Sequence, residues 1–239
     1  MAFDLRGVLG WTNDFLDSSC GIDKTLIDMS EKMKVTGQLF ISPANNSTKA
    51  IQDILTKDRK WHMRALGRLL SLRESLLREL NFDYILLDIG SGISYPAINA
   101  IVAADTVIIV NTPDEIQNLG TLKVLQELYA LFDKKTGMII NKVNRGQKNF
   151  SDIESLKTIE FETKFNLPVL GVVPCFCDLN EKSLIHPFQL STNHLYPKLV
   201  IEIAAKIESF ISGQFIESNK EMMRVYREQF LKKVYGFIT

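Results

Sequence analysis

No apolar run in the sequence approaches the roughly 20 consecutive apolar residues needed to cross a bilayer. Cysteine is scarce. Three are present among 239 residues, and Cys175 and Cys177 stand one residue apart. An odd, clustered set is no disulfide framework, so reduced thiols in a cytoplasmic setting are expected. Charge of neither sign prevails, since 28 Lys and Arg balance 28 Asp and Glu. That excludes a global field for nucleic acid and leaves only local patches. Met-Ala-Phe-Asp at the start carries an early acid and no basic-then-apolar signal region. The lone Cys-Phe-Cys lacks the second pair that a zinc or iron–sulfur centre needs, and His62, His186 and His194 share no metal spacing. Each histidine is expected at the surface or satisfied in a loop. Trp11 and Trp61 are expected as core or interface aromatics.

What is present is a 46% hydrophobic chain, enough for one sizeable α/β domain. Five short runs read as buried strands: 38–42 (QLFIS), 84–89 (YILLDI), 106–111 (TVIIVN), 137–141 (GMIIN) and 169–174 (VLGVVP). They are continuously apolar, the pattern of parallel strands covered on both faces. Helical spacing separates them. Residues 58–80 set Trp61 and a series of leucines against Arg64, Arg68, Arg73 and Glu74, and 116–132 and 151–165 follow the same period. Residues 176–197 read as an irregular connection and 191–209 as a helix with Pro197 in its first turn. The alternation predicts an α/β, doubly wound, mostly parallel sheet with helices on both faces. Residues 1–213 are expected as one domain and 214–239 as a separate C-terminal segment.

Such sheets place their chemistry in loops after the carboxyl ends of strands. The run Asp83-Tyr-Ile-Leu-Leu-Asp88-Ile-Gly90-Ser-Gly92 ends an apolar strand on a carboxylate beside two glycines. A carboxylate there is costly unless it holds a cation or accepts hydrogen bonds. Glycines let backbone N–H groups approach a phosphate. One function for this set is Mg²⁺ binding beside a phosphate-sensing loop; the other is a capped turn with glycines for geometry.

The stretch FDYILLDIGSGIS, continued by AINAIVAADTVIIVNTPDE, resembles the MinD/ParA branch of P-loop ATPases without gaps over more than thirty residues. Met138-Ile-Ile-Asn141-Lys142-Val143, Gly171-Val-Val-Pro174 and Ser42-Pro43-Ala44 fit further strands of that family, so the resemblance spans about residues 1 to 210. It implies a P-loop NTPase-like fold. It also implies that Asp88 holds Mg²⁺ through water, that Gly90 and Gly92 report the γ-phosphate, and that Asn141 and Pro174 line the adenine base. Phe3-Asp4-Leu5-Arg6-Gly7 resembles the family's switch I, which would make Asp4 the acid that orients attacking water. Ala2 and Val8 depart from that pattern.

The 239 residues contain no G-x-x-x-x-G-K-[ST] phosphate loop. In the family that loop, with a strand and a helix, precedes switch I. Two explanations stand: a sequence shortened at its N-terminus, and a degenerate pseudo-ATPase. The retained Asp4, Asp88, Gly90, Gly92 and Asn141 favour the first. In either case Mg²⁺ and ATP, the cofactors of the intact family, are not expected to bind this chain tightly.

Residues 220–238 (KEMMRVYREQFLKKVYGFI) are amphipathic, with Met222, Tyr226, Phe230, Val234 and Ile238 at every fourth position and Arg224, Arg227, Lys232 and Lys233 opposite. This is the composition of a helix lying in a membrane interface. Phe230, Leu231, Lys232, Lys233 and Phe237 look similar to the lipid-binding end of MinD-type proteins. Packing on the core or a partner, and contact with DNA, remain as alternatives. The resemblance therefore implies a homodimeric, ATP-dependent positioning switch with an activating partner protein, peripheral on an anionic membrane. It would serve cell division, chromosome or plasmid segregation, or flagellar number. The alternative is a non-catalytic scaffold or partner of an intact paralogue.

Overall fold

The computed structural model describes residues 8–90, 94–114, 134–144, 149–176 and 194–213. The chain divides into two compact units on either side of the Ala104–Asp105 junction. The helix expected at 116–132 and the amphipathic segment at 220–238 lie outside the described residues.

The first unit is mainly helical. It runs α1 (Thr12–Leu16), a 3₁₀ turn (Ile22–Lys24), β1 (Ile27–Asp28), α2 (Ser30–Met33), β2 (Phe40–Ile41), α3 (Thr48–Thr56), α4 (Arg59–Glu74), a π-helical turn (Ser75–Glu79) and α5 (Tyr95–Ala103). Helix α4 starts where Asp58 accepts the Trp61 N–H at 2.8 Å, a side-chain cap that satisfies one otherwise orphaned donor. The π turn ends the helix expected over 58–80. Ser94 caps α5 through the Ala97 N–H, with Pro96 in the first turn. Helices α4 and α5 pack on each other, and Ala65, Leu76, Ala97, Ala100, Ile101 and Ala103 are buried.

Three expectations fail in this unit. The strand read at 38–42 is a two-residue β2 that pairs antiparallel with β1, Ile27 opposite Ile41. Its partner lies 12 to 14 residues upstream, across α2, close enough in the chain to fold back without a crossover. Residues 84–89 form no strand, and Leu86 is 91% exposed. A buried parallel strand requires a neighbour in the ladder, and among the described residues none pairs with this segment. Arg68, read as solvent-facing, instead donates from Nε to the Phe15 carbonyl at 2.6 Å and lies 4.6 Å from the Phe15 ring centroid. A guanidinium stem and face can cover apolar surface while its N–H groups find carbonyls.

The second unit is the α/β core. It contains β3 (Thr106–Asn111), β4 (Lys135–Val143), α6 (Phe150–Phe165), β5 (Val169–Pro174) and α7 (Leu195–Ser212). The strands are parallel in the order β3-β4-β5. Every residue of β5 is buried, so both of its faces are covered, and α6 and α7 pack against it. Leu170 and Phe210 form a core cluster with Ile108, Ile139 and Ile207. Helix α7 begins where His194 Nδ1 accepts the Tyr196 N–H and ends at Gly213 with φ +88°, the left-handed stop that glycine supplies without strain. Cys20 is a free thiol, but Cys175 is disulfide-bonded, so the expectation of three reduced thiols fails there. Among the described residues no helix is long and apolar enough to cross a membrane.

Candidate functional site

The expected site residues fall into three groups. Asp4 and Gly92, and Phe230, Leu231, Lys232, Lys233 and Phe237 of the C-terminal segment, lie outside the described residues. Asp88 and Gly90 belong to the first unit, in the exposed segment that forms no strand. A Cβ added at Gly90 would meet nothing within 4 Å, so crowding among the described residues does not dictate glycine there. No group of three or more His, Cys, Asp or Glu that could hold a metal occurs among the described residues. A lone carboxylate still suits Mg²⁺, which keeps most of its waters and relies on phosphate for further ligands.

Asn141 and Pro174 belong to the second unit, and the structure brings them to neighbouring strands at the carboxyl edge of the sheet. Asn111 ends β3 opposite Ile140, and Val143 ends β4 opposite Pro174. Between Ile140 and Val143 the register shifts, so Asn141 and Lys142 stand out of the regular ladder. Lys142 has φ +57°, a left-handed conformation that turns the strand locally. Its N–H donates to Asn141 Oδ1 at 2.9 Å. That bond orients the half-buried amide: Oδ1 keeps one lone pair, and the Nδ2 donors point to the other side of the planar group. A planar group with donor and acceptor side by side matches the edge of an adenine base. Pro174 is buried and has no N–H to leave unpaired. The ladder resumes beyond it, where the Cys175 N–H reaches the Val143 carbonyl at 2.8 Å.

Two buried polar sites were not foreseen. In the first unit His62, expected at the surface or in a loop, is buried on α4. Its ring stacks on Tyr95 at 4.5 Å and meets Trp61 edge-on at 5.0 Å. The buried Asn99 side chain donates to the His62 carbonyl at 2.9 Å. Among the described residues His62 Nδ1 has no hydrogen-bond partner, and burial holds the imidazole below its ordinary value, with Asp58 pulling the other way. The contact therefore ties α4 to the first turn of α5, directly after the Asp88–Gly90 segment. In the second unit Glu162 is buried on α6. The sequence signals were a polar Asn99 inside an apolar helix, and Glu162 three residues before the buried Phe165 on one helical face.

No family model matches the chain. It is 28% identical over 169 residues to a putative septum site-determining protein MinD of Oltmannsiellopsis viridis, covering 70% of this chain and 47% of that protein. It is 26% identical over 176 residues to the septum site-determining protein MinD of Thermotoga maritima, covering 68% of this chain and 62% of the other. The chain spans about half the length of the curated relatives it matches. Among solved structures, the cell division ATPase MinD of Pyrococcus furiosus superposes with a TM-score of 0.59 at 17% identity, covering 86% of this chain and 78% of that one. The MinC:MinD cell division protein complex of Aquifex aeolicus gives 0.58 at 18% identity, with 85% and 74% covered. Sequence and fold together relate this chain to the MinD/ParA family, on the α/β, P-loop NTPase-like architecture of the solved MinD proteins.

Proposed function

We propose that the chain is a MinD/ParA-like component of a positioning or partitioning system, with cell division as the process closest to its named relatives. The observation that carries this reading is the carboxyl edge of the parallel sheet, where the oriented Asn141 amide stands beside the strand ending in Pro174. In this reading Asn141 and Pro174 face an adenine base, while Asp88 contributes to Mg²⁺ and Gly90 and Gly92 to the γ-phosphate. Asp4 orients water. The 239 residues hold no G-x-x-x-x-G-K-[ST] motif, so within them the reading rests on the adenine side. The alternative reading is a non-catalytic partner of an intact ATPase. Dimerisation, an activating partner protein of unknown identity, and attachment of the C-terminal segment to an anionic membrane belong to the proposal as well; the solved MinC:MinD structure is itself a complex with a partner protein.

Calorimetric titration of the purified 239-residue chain with adenosine, Mg·ATP and Mg·GTP tests it. Adenosine and ATP should bind with similar, weak affinity, GTP more weakly still, and Asn141→Ala should abolish the difference. Micromolar Mg·ATP binding would contradict the expectation that these 239 residues bind the nucleotide only weakly. Equal binding of adenine and guanine nucleotides would remove Asn141 from base recognition. Liposome co-sedimentation with and without residues 218–239 tests the anchor, and equal binding by both forms would rule it out.

A further inference from the structure

Glu162 is an acid that none of the proposed nucleotide chemistry uses. It is only 6% exposed. Oε1 accepts the Val169 N–H at 2.9 Å, whereas Oε2 is buried with no hydrogen-bond partner among the described residues. The same residue also holds the connection through its backbone, because its carbonyl accepts the Asn166 N–H at 2.9 Å. Asn166 closes α6 in the left-handed region at φ 52°. Two residues later the Pro168 carbonyl accepts the Met138 N–H and opens the β4–β5 ladder. Glu162 thus clamps the junction at which α6 becomes β5.

An ionised carboxylate with one oxygen sealed from water and unpaired is far more costly than a neutral carboxyl in the same place. Burial accordingly raises this group above its ordinary value, while the Val169 N–H and the Lys206 ammonium offset part of that rise. No residue of β5 titrates. The charge facing Glu162 from α7 is Lys206, which also pairs with Glu154 at 3.7 Å; on α6 itself Glu160 and Lys164 are exposed.

We propose that Glu162 is a proton-operated latch at the start of β5. The neutral carboxyl holds the Val169 amide in place. Ionisation draws the carboxylate toward water, loosens the α6–β5 connection and frees the strand whose far end is Pro174. This is independent of nucleotide binding.

Hydrogen exchange at the Val169 amide of the full chain, followed from pH 4.5 to 8.5 and corrected for intrinsic exchange, reads the latch directly. One proton linked to opening makes protection in the wild type fall by up to about tenfold per pH unit through the titration. Glu162→Gln keeps an acceptor but no titration, and its protection should stay flat. Lys206→Gln leaves the carboxyl untouched and removes the cation that favours its ionised form, so the fall should move to higher pH. Parallel profiles for wild type and Glu162→Gln, or an unmoved profile in Lys206→Gln, would overturn the latch.

Discussion

The two units treat similar apolar runs in opposite ways. Residues 106–111 and 169–174 each pair in parallel with the strand at 135–143, and Met138, Ile140 and Leu170 are fully buried. Residues 84–89, at least as apolar, pair with nothing among the described residues and leave Leu86 exposed. A strand is a relation between segments, and hydrophobicity alone does not create one. The first unit instead draws its order from caps, from the α4–α5 contact and from the aromatic stack around His62.

The sharpest test of this contrast is a pair of truncations. Leu170→Ala should cost about 2–5 kcal/mol of unfolding free energy by the transfer and cavity terms of a buried leucine. Leu86→Ala should stay within about 0.5 kcal/mol, as exposed substitutions do. Urea denaturation measures both, and comparable losses would dissolve the distinction. Next in size is crowding. A Cβ at Gly171 would lie 2.4 Å from the Ile203 side chain, so Gly171→Ala should destabilise by about 1–3 kcal/mol, whereas Gly90→Ala meets open space and should not. Smaller again is the α4 cap. Asp58→Ala should cost about 1 kcal/mol through loss of the bond to the Trp61 N–H.

The smallest expected effects concern pH, and their signs are opposite in the two units. His62 is held below its ordinary 6.5, so the folded state binds its proton less readily than the unfolded chain does. Its contribution is complete above about 6.5 and is lost as the pH falls through the folded value. Glu162 is raised above 4.5, so its contribution is complete below that value and is lost as the pH rises through the folded one. His62→Phe, which keeps the stack on Tyr95, should flatten the acid limb of a thermal-stability profile and leave the alkaline limb intact. Loss of the alkaline limb in that variant would reverse the assignment.

Much of the second unit was legible in the sequence because local and global signals agree there. The runs TVIIVN and VLGVVP are β-branched, continuous and bounded by turn residues, and they form strands at the bounds read from them. Helix α6 was read to within one residue. The first unit was less legible because its decisive contacts link distant residues. Pattern alone does not reveal that Arg68 reaches back to Phe15, or that His62 and Tyr95 stack across thirty-three residues of chain. Of the candidate site, the placement of Asn141 and Pro174 on neighbouring strands was legible from the apolar runs, whereas their roles came from the family resemblance alone. The bulge that orients Asn141 depends on the register between β4 and β5, which a single strand does not encode.

The most direct test of the nucleotide-like edge is chemical-shift mapping of adenosine on the ¹⁵N-labelled 239-residue chain. An adenine surface at the end of the sheet predicts saturable shifts confined to amides 141–144 and 175–176, absent in Asn141→Ala. Saturable shifts centred elsewhere, or none at millimolar adenosine, would contradict it.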